Sequence, residues 1–415
     1  MRFVIFICAL FAFGTAHATT LNIRQNGGTT KITLNTIKPT TPALAMRVGG
    51  RTMYAAMARA TTTQSGGLYV KYNNQTYHVL ESAPESKFQI TTTSTTNSFD
   101  FTMSAAGTFY IDWGDGTVDE IVRANTVYAP YSHTYMKAGT YNIGFSGTAT
   151  GYSTGAENTD AAISFSNNKN VAGISGSLGE IFSTIKHFDC LNGICNMTKI
   201  ISIEQPMFRG VFRYCTNLGG TIPENLFSGI EGQPIKYIFA AVFYGCENIG
   251  GTIPENLFKN IKGYPAYGMF DSVFAFCKNL TGQVPEKLFA GISGAPARDM
   301  FAWTFNGCTG LSGSIPANLF SGISGVPAEG MYAGTFYKCS GLSGTIPDGL
   351  FGNLYGAPDV NMFAWTFDGA TQMTGHTART ATGVCLYDIE YNGVKWQNNS
   401  VNAFGNMYTG TNIRD

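Results

Sequence analysis

Beyond the N-terminal apolar run the histidines are His78, His133, His187 and His376, too scattered for a ligand set to be read from spacing. No G-x-S-x-G, H-E-x-x-H or G-x-x-x-x-G-K-[ST] is present, so a nucleophilic serine, a catalytic zinc and a phosphate cradle all lack their usual signatures. Asp112, Asp115 and Asp119 are close enough to suggest calcium, but no EF-hand loop surrounds them, and aspartates at turns are usually structural. Carboxylates are too sparse in the second half of the chain to nominate a glycosidase pair. Cys190 and Cys195 are candidates for a local disulfide; zinc would need four ligands, and only His187 lies nearby. Trp303 and Trp365 occupy one equivalent position of a repeat and are the candidate ligand contacts. These residues point to binding, with no catalytic residue, metal or cofactor called for.

The elements that must position them belong to an exported chain. Met1-Arg2, the apolar run Phe3 to Gly14 and Ala16-His17-Ala18 read as a signal peptide over 1–18. The mature protein is expected to be secreted, periplasmic or at the cell surface, without a transmembrane segment. The 415 residues carry 26 Lys+Arg against 26 Asp+Glu, which excludes the basic footprint of a nucleic-acid binder. Only 13% are charged and 13% are aromatic, which excludes a disordered chain. Residues 19–83 read as a Thr-rich β leader with a hairpin turning at Asn73-Asn74. Its basic residues, with no acid through residue 80, allow a loose association with an anionic cell envelope.

Over 84–150, Phe99 to Met103 and Thr108 to Trp113 alternate apolar and polar residues as half-buried strands do. Gly114-Asp115-Gly116 is a tight turn. Trp113, Gly114, Asp115, Gly116 and Thr117, followed by His133-Thr-Tyr135 and Gly139-Thr-Tyr-Asn-Ile143, resemble the PKD domain. That resemblance implies an extracellular immunoglobulin-like β-sandwich of the kind found in adhesins and in accessory parts of secreted enzymes.

Residues 206–375 are periodic. Cys215, Cys246, Cys277, Cys308 and Cys339 are 31 residues apart, with Ala370 in the sixth place. Phe stands three residues before each, Gly five after, then Ile/Val-Pro, Leu-Phe and a second Pro. Counting from the Cys, apolar residues at −8, −7, −4, −3 and 0 suggest a helix, followed by a short strand and a second helix opened by Pro. Such units cannot bury their faces alone and must stack. The cysteines then form a ladder of buried free thiols. The −5 position faces outward and carries Gly210, Ala241, Ser272, Trp303, Gly334 and Trp365; alternatively each Trp folds back over its neighbour's small residue, Gly334 offering the space.

The pattern F-x-x-C-x-x-L-x-G-x-I-P-x-x-L-F resembles the repeats of bacterial BspA-like leucine-rich-repeat surface proteins, although 31 residues exceeds their usual unit. The expected fold is therefore α+β: a PKD-like sandwich, a linker and degenerate repeat over 151–205, a leucine-rich-repeat solenoid of helix-strand-helix units, and a β-hairpin cap over 376–415. The resemblance implies adhesion to an extracellular protein or glycan without catalysis. A structural envelope or matrix component and, more remotely, a secreted hydrolase with accessory domains are the alternatives.

Overall fold

A computed structural model describes residues 18–25, 28–35, 43–48, 51–60, 68–72, 74–80, 84–153, 161–191, 194–399 and 401–414. The export-signal reading covers residues 1–18, of which 1–17 lie outside the described ones. Strands β1 (Ala18–Gln25), β2 (Gly28–Asn35), β3 (Ala43–Val48), β4 (Arg51–Ala60), β5 (Tyr69–Tyr72) and β6 (Gln75–Val79) make up the leader. Strands β7 (Phe88–Thr92), β8 (Thr96–Met103), β9 (Ala106–Asp112), β10 (Val118–Arg123), β11 (Ala129–Gly139), β12 (Asn142–Gly151), β13 (Ile163–Ser164) and β14 (Val171–Gly176) follow. One sheet runs β10-β9-β12-β7-β14 and a second β11-β8-β13. They share a core that includes Phe88, Phe101, Phe145 and Phe165. The leader joins the first sheet where β4 pairs in parallel with β10. Arg59 there donates two hydrogen bonds, of 2.6 and 2.7 Å, to the Asp119 carboxylate.

The 31-residue units contain no helix. Among the described residues the only helical segments are the 3-10 turns Leu386–Asp388 and Trp396–Asn398. The α+β assignment and the helix-strand-helix leucine-rich-repeat solenoid are therefore incorrect; the protein is built from β-strands and turns. The reason is visible in the hydrogen bonds. Phe208, Gly210, Phe212 and Tyr214 donate their N–H groups to Ile238, Ala240, Val242 and Tyr244 of the next unit. Between them, Val211, Arg213 and Cys215 donate to the carbonyls three residues back. Every second N–H thus closes a local turn and the others bond the neighbouring coil. A helix would send all of them four residues back. The left-handed residues recur at −9, −5 and −1, as at Tyr237, Ala241 and Gly245 or Asp299, Trp303 and Gly307. The true period is four residues, and the apolar pairs at −8/−7 and −4/−3 obey it.

Stacked coils place like on like. Phe208, Phe239, Phe270, Phe301, Tyr332 and Phe363 form one column with ring centroids 5.6–6.1 Å apart. Phe212 to Phe367 form a second, and Phe227 to Phe351 a third. Offset-stacked pairs of this kind add about 0.5–1.5 kcal/mol each beyond burial. The ladder cysteines are buried and free. Each donates its thiol to a Phe carbonyl of the preceding coil, Cys277 to Phe243 at 3.1 Å and Cys308 to Phe274 at 3.0 Å. Burial pushes the Cys215 and Cys339 thiols up to about 12.

The stack is longer than its repeats. Ala162, Phe165 and Asn167 donate to Met207, Val211 and Arg213, and Cys215 bonds the Phe165 carbonyl, so residues 161–184 form an opening coil. That coil also supplies β13 and β14 to the two sheets, so one apolar core runs from Phe88 to Ile413. At the other end Phe404 and Tyr408 stack on Phe363 and Phe367, and Arg414 bonds Gly375, so residues 401–414 form a terminal coil. The segment before it holds the Glu390–Tyr391 and Val394–Lys395 hairpin and the buried Trp396. A hairpin of β15 (Ile185–Leu191) and β16 (Ile194–Glu204) is likewise inserted after the opening coil.

The coils approach closely at Gly322, where an added Cβ would lie 2.3 Å from the Ile292 carbonyl oxygen. At Gly344 the nearest atom would be 3.7 Å away, and only the left-handed backbone (φ +83°) resists a side chain. Gly322→Ala is expected to lose about 2–3 kcal/mol, because backbone must move, and Gly344→Ala about 1 kcal/mol. Urea melts of the two variants check the order; equal losses would contradict the close approach.

Candidate ligand-binding cleft

The PKD-like motif residues fold against one another. Trp113 is buried, stacks on His133 with centroids 4.6 Å apart, and donates its Nε1–H to Asp119 at 2.9 Å. Tyr135 donates its hydroxyl to the Trp113 carbonyl. Gly114 and Gly116 take positive φ in the turn, where Thr117 donates from both N–H and Oγ1 to Asp115. His133 Nε2 lies 2.7 Å from Asp115. Burial works against the Asp115 charge, but the Thr117 and His133 hydrogen bonds prevail and hold its carboxyl below the usual range. Asp112 accepts from Gly114 N–H. These groups brace a turn. Cys190 and Cys195 are register partners across β15 and β16, and their side chains lie outside the described ones.

The repeat geometry sends residue pairs alternately inward and outward. The outward pairs fall at −10/−9, −6/−5 and −2/−1. On this face the −5 column of coils one to three is small, Gly210, Ala241 and Ser272, with Ala240 beside it. Aromatic and cationic side chains flank it. The Arg209 guanidinium lies 4.6 Å from the Tyr237 ring centre, and Arg213 lies 5.0 and 5.3 Å from those of Tyr214 and Tyr244. Lys236, Tyr267 and Arg298 continue one flank.

Where the first coils meet the two-sheet unit, this face deepens into a cleft of about 580 Å³. Asp100, Tyr128, Ser166 and Asn167 line one side; Arg209, Arg213, Tyr244, Asp271 and Ser272 line the other. Its volume falls in the range of about 300–1,000 Å³ usual for small-ligand sites. Neither Arg209 nor Arg213 has an ion-pair partner among the described residues. Burial, and then Asp299, push the Asp271 carboxyl up to about 6, against the Ser272 hydrogen bond and Arg209. Spacing alone did not reveal this cleft. The signal available was the placement of Arg209 and Asp271 at the outward −6 position, which is Ala in the other coils.

The two tryptophans lie further along the same face and are half-buried. Trp303 folds over Gly334, where a Cβ would lie 2.1 Å from its ring, and stacks on Trp365 with centroids 5.9 Å apart. It also meets Tyr337 edge-on. The folded-back arrangement is thus the one formed, and the pair fills the column that is open nearer the sheets. Among the described residues no helix is long and apolar enough to cross a membrane. Compared with protein-family models, curated proteins and solved structures, the chain matches none of them.

Two outcomes are expected. A folded-state value near 6 for Asp271, against 3.8 for an unperturbed carboxyl, means the folded chain takes up a proton that the unfolded chain does not. The Asp271 contribution should therefore raise stability as pH falls from 7 to 4.5, by about 2 kcal/mol. Asp271→Asn should be more stable than the parent at pH 7, and its advantage should shrink by about 2 kcal/mol at pH 4.5, as read by urea melts at both values. Trp303→Ala should lose about 2 kcal/mol, because it strips packing from Gly334 and Trp365. An unchanged melting temperature would return Trp303 to the free surface.

Proposed function

We propose that the chain is an exported, non-catalytic binding protein that takes an extracellular glycan or protein ligand in the cleft between the two-sheet unit and the first coils. The observation that carries this reading is the cleft itself, with two guanidinium groups held on tyrosine faces and neither in a salt bridge among the described residues. A spacer in an envelope or matrix needs no such feature. The likeness of the Trp113-to-Thr117 and Cys-ladder motifs to PKD and BspA-like adhesion modules supports the same reading, as does the export signal expected at the N-terminus. Trp303 and Trp365 border the binding face and contribute through packing.

One observation favours a hydrolase as the second reading. Asp271, whose carboxyl is pushed up to about 6, lines the same cleft as Asp100, and a carboxyl protonated near neutral pH can act as a general acid. The test is a glycan and protein array probed with the chain from residue 19 onward, with each ligand found then incubated and analysed for cleavage. Binding without cleavage, weakened by Arg213→Gln, is the expected outcome. Cleavage lost in Asp271→Asn would establish the hydrolase instead.

A further inference from the structure

We infer that the cleft ligand is a carboxylate-bearing saccharide, with a uronate or sialate residue whose acid group is received by Arg209 and Arg213. This rests on the binding reading above and names its ligand class. Arg209 and Arg213 sit at −6 and −2 of the first coil, on the same outward face, and both line the cleft. Each stacks on tyrosine, at 4.6 and 5.3 Å, which holds the planar fork in place without satisfying its N–H donors. A carboxylate takes two parallel N–H donors from such a fork, a match neutral ligands lack.

The rest of the lining selects against a polyacidic peptide. Asp100 and Asp271 stand in the same cleft, and a run of acidic side chains would meet like charge. Hydroxyl groups, by contrast, donate to carboxylates, and Asn167 and Ser272 supply further partners. An acidic sugar ring carries one carboxylate and several hydroxyls, which is the balance of two cations with two acids that lines the cleft. The floor at Gly210, Ala240 and Ala241 has almost no side chain, so a flat ring can lie against the coils beside the Tyr244 face.

The test is calorimetric titration of the full chain with galacturonic acid, with sialyllactose, with the methyl ester of each, and with a hexaglutamate peptide. At least one acid should bind ten-fold or more tighter than its own ester. Arg209→Gln and Arg213→Gln should each weaken the acid at least ten-fold and the ester less than two-fold, while Lys259→Gln, an exposed cation outside the cleft, changes neither. If an arginine variant melts earlier than the parent, the acid-to-ester ratio on the unaltered chain decides alone. Equal binding of acid and ester overturns the inference, as does hexaglutamate binding tighter than both saccharides. Failure of both acids while the array yields another ligand overturns this inference only. An array without any ligand overturns the binding reading itself.

Discussion

The repeat region depends on how its backbone N–H groups are divided. Alternate donors close a turn within the coil, and the rest reach the next coil, as Phe212 does to Val242 and Phe243 to Val273. Neither half suffices alone: turns without neighbours would leave half the donors of a buried segment unpaired, which is expensive away from water. The chain must therefore place a left-handed residue at every fourth position, and that fixes everything else. Apolar pairs at −8/−7 and −4/−3 turn inward, cysteine thiols and Thr304, Thr335 and Thr366 hydroxyls add bonds to the coil before, and the aromatic columns follow.

The same division leaves the outward pairs outside the buried aromatic columns. Side chains there vary from coil to coil, and this variation makes the face: small residues at −5 over the first three coils, Trp303 and Trp365 beyond. The sheets complete the site. Because residues 161–184 serve at once as a coil and as strands of both sheets, the two-sheet unit is held in register with the stack by backbone bonds such as Asn167 to Arg213. Asp100 and Arg213 are thereby held across one cleft.

Much of this was legible in the residues. The 31-residue period, the inward Cys and Phe columns and the Trp113–Thr117 turn all follow from the letters. The helix assignment failed because, over nine residues, a period of four and one of 3.6 select nearly the same apolar positions. Glycine was the neglected signal. Gly268, Gly307, Gly330 and Gly334 fall at the −9, −5 and −1 places inside the supposed helix, where glycine is a poor helix former but a natural left-handed residue. The terminal coil was hidden by the segment inserted before it, although Phe404, Tyr408 and Thr411 keep the −7, −3 and 0 spacing. The cleft was illegible because its two walls lie more than forty residues apart in the chain, as Asn167 and Arg213 do.

The bonds between coils run along the axis of the stack, and this decides how the protein yields to tension. A pull on the chain beyond residue 414 meets the hydrogen bonds of the outermost coil one after another, as a zipper is opened, and never loads a whole interface in shear. The outermost coil peels first, and each repeat coil after it releases 31 residues, about 100 Å of slack. The two-sheet end, where the opening coil is pinned by strands on both sides, lets go last. A tether attached at the far end would thus lengthen under load by equal increments, while the cleft beside the sheets kept its grip.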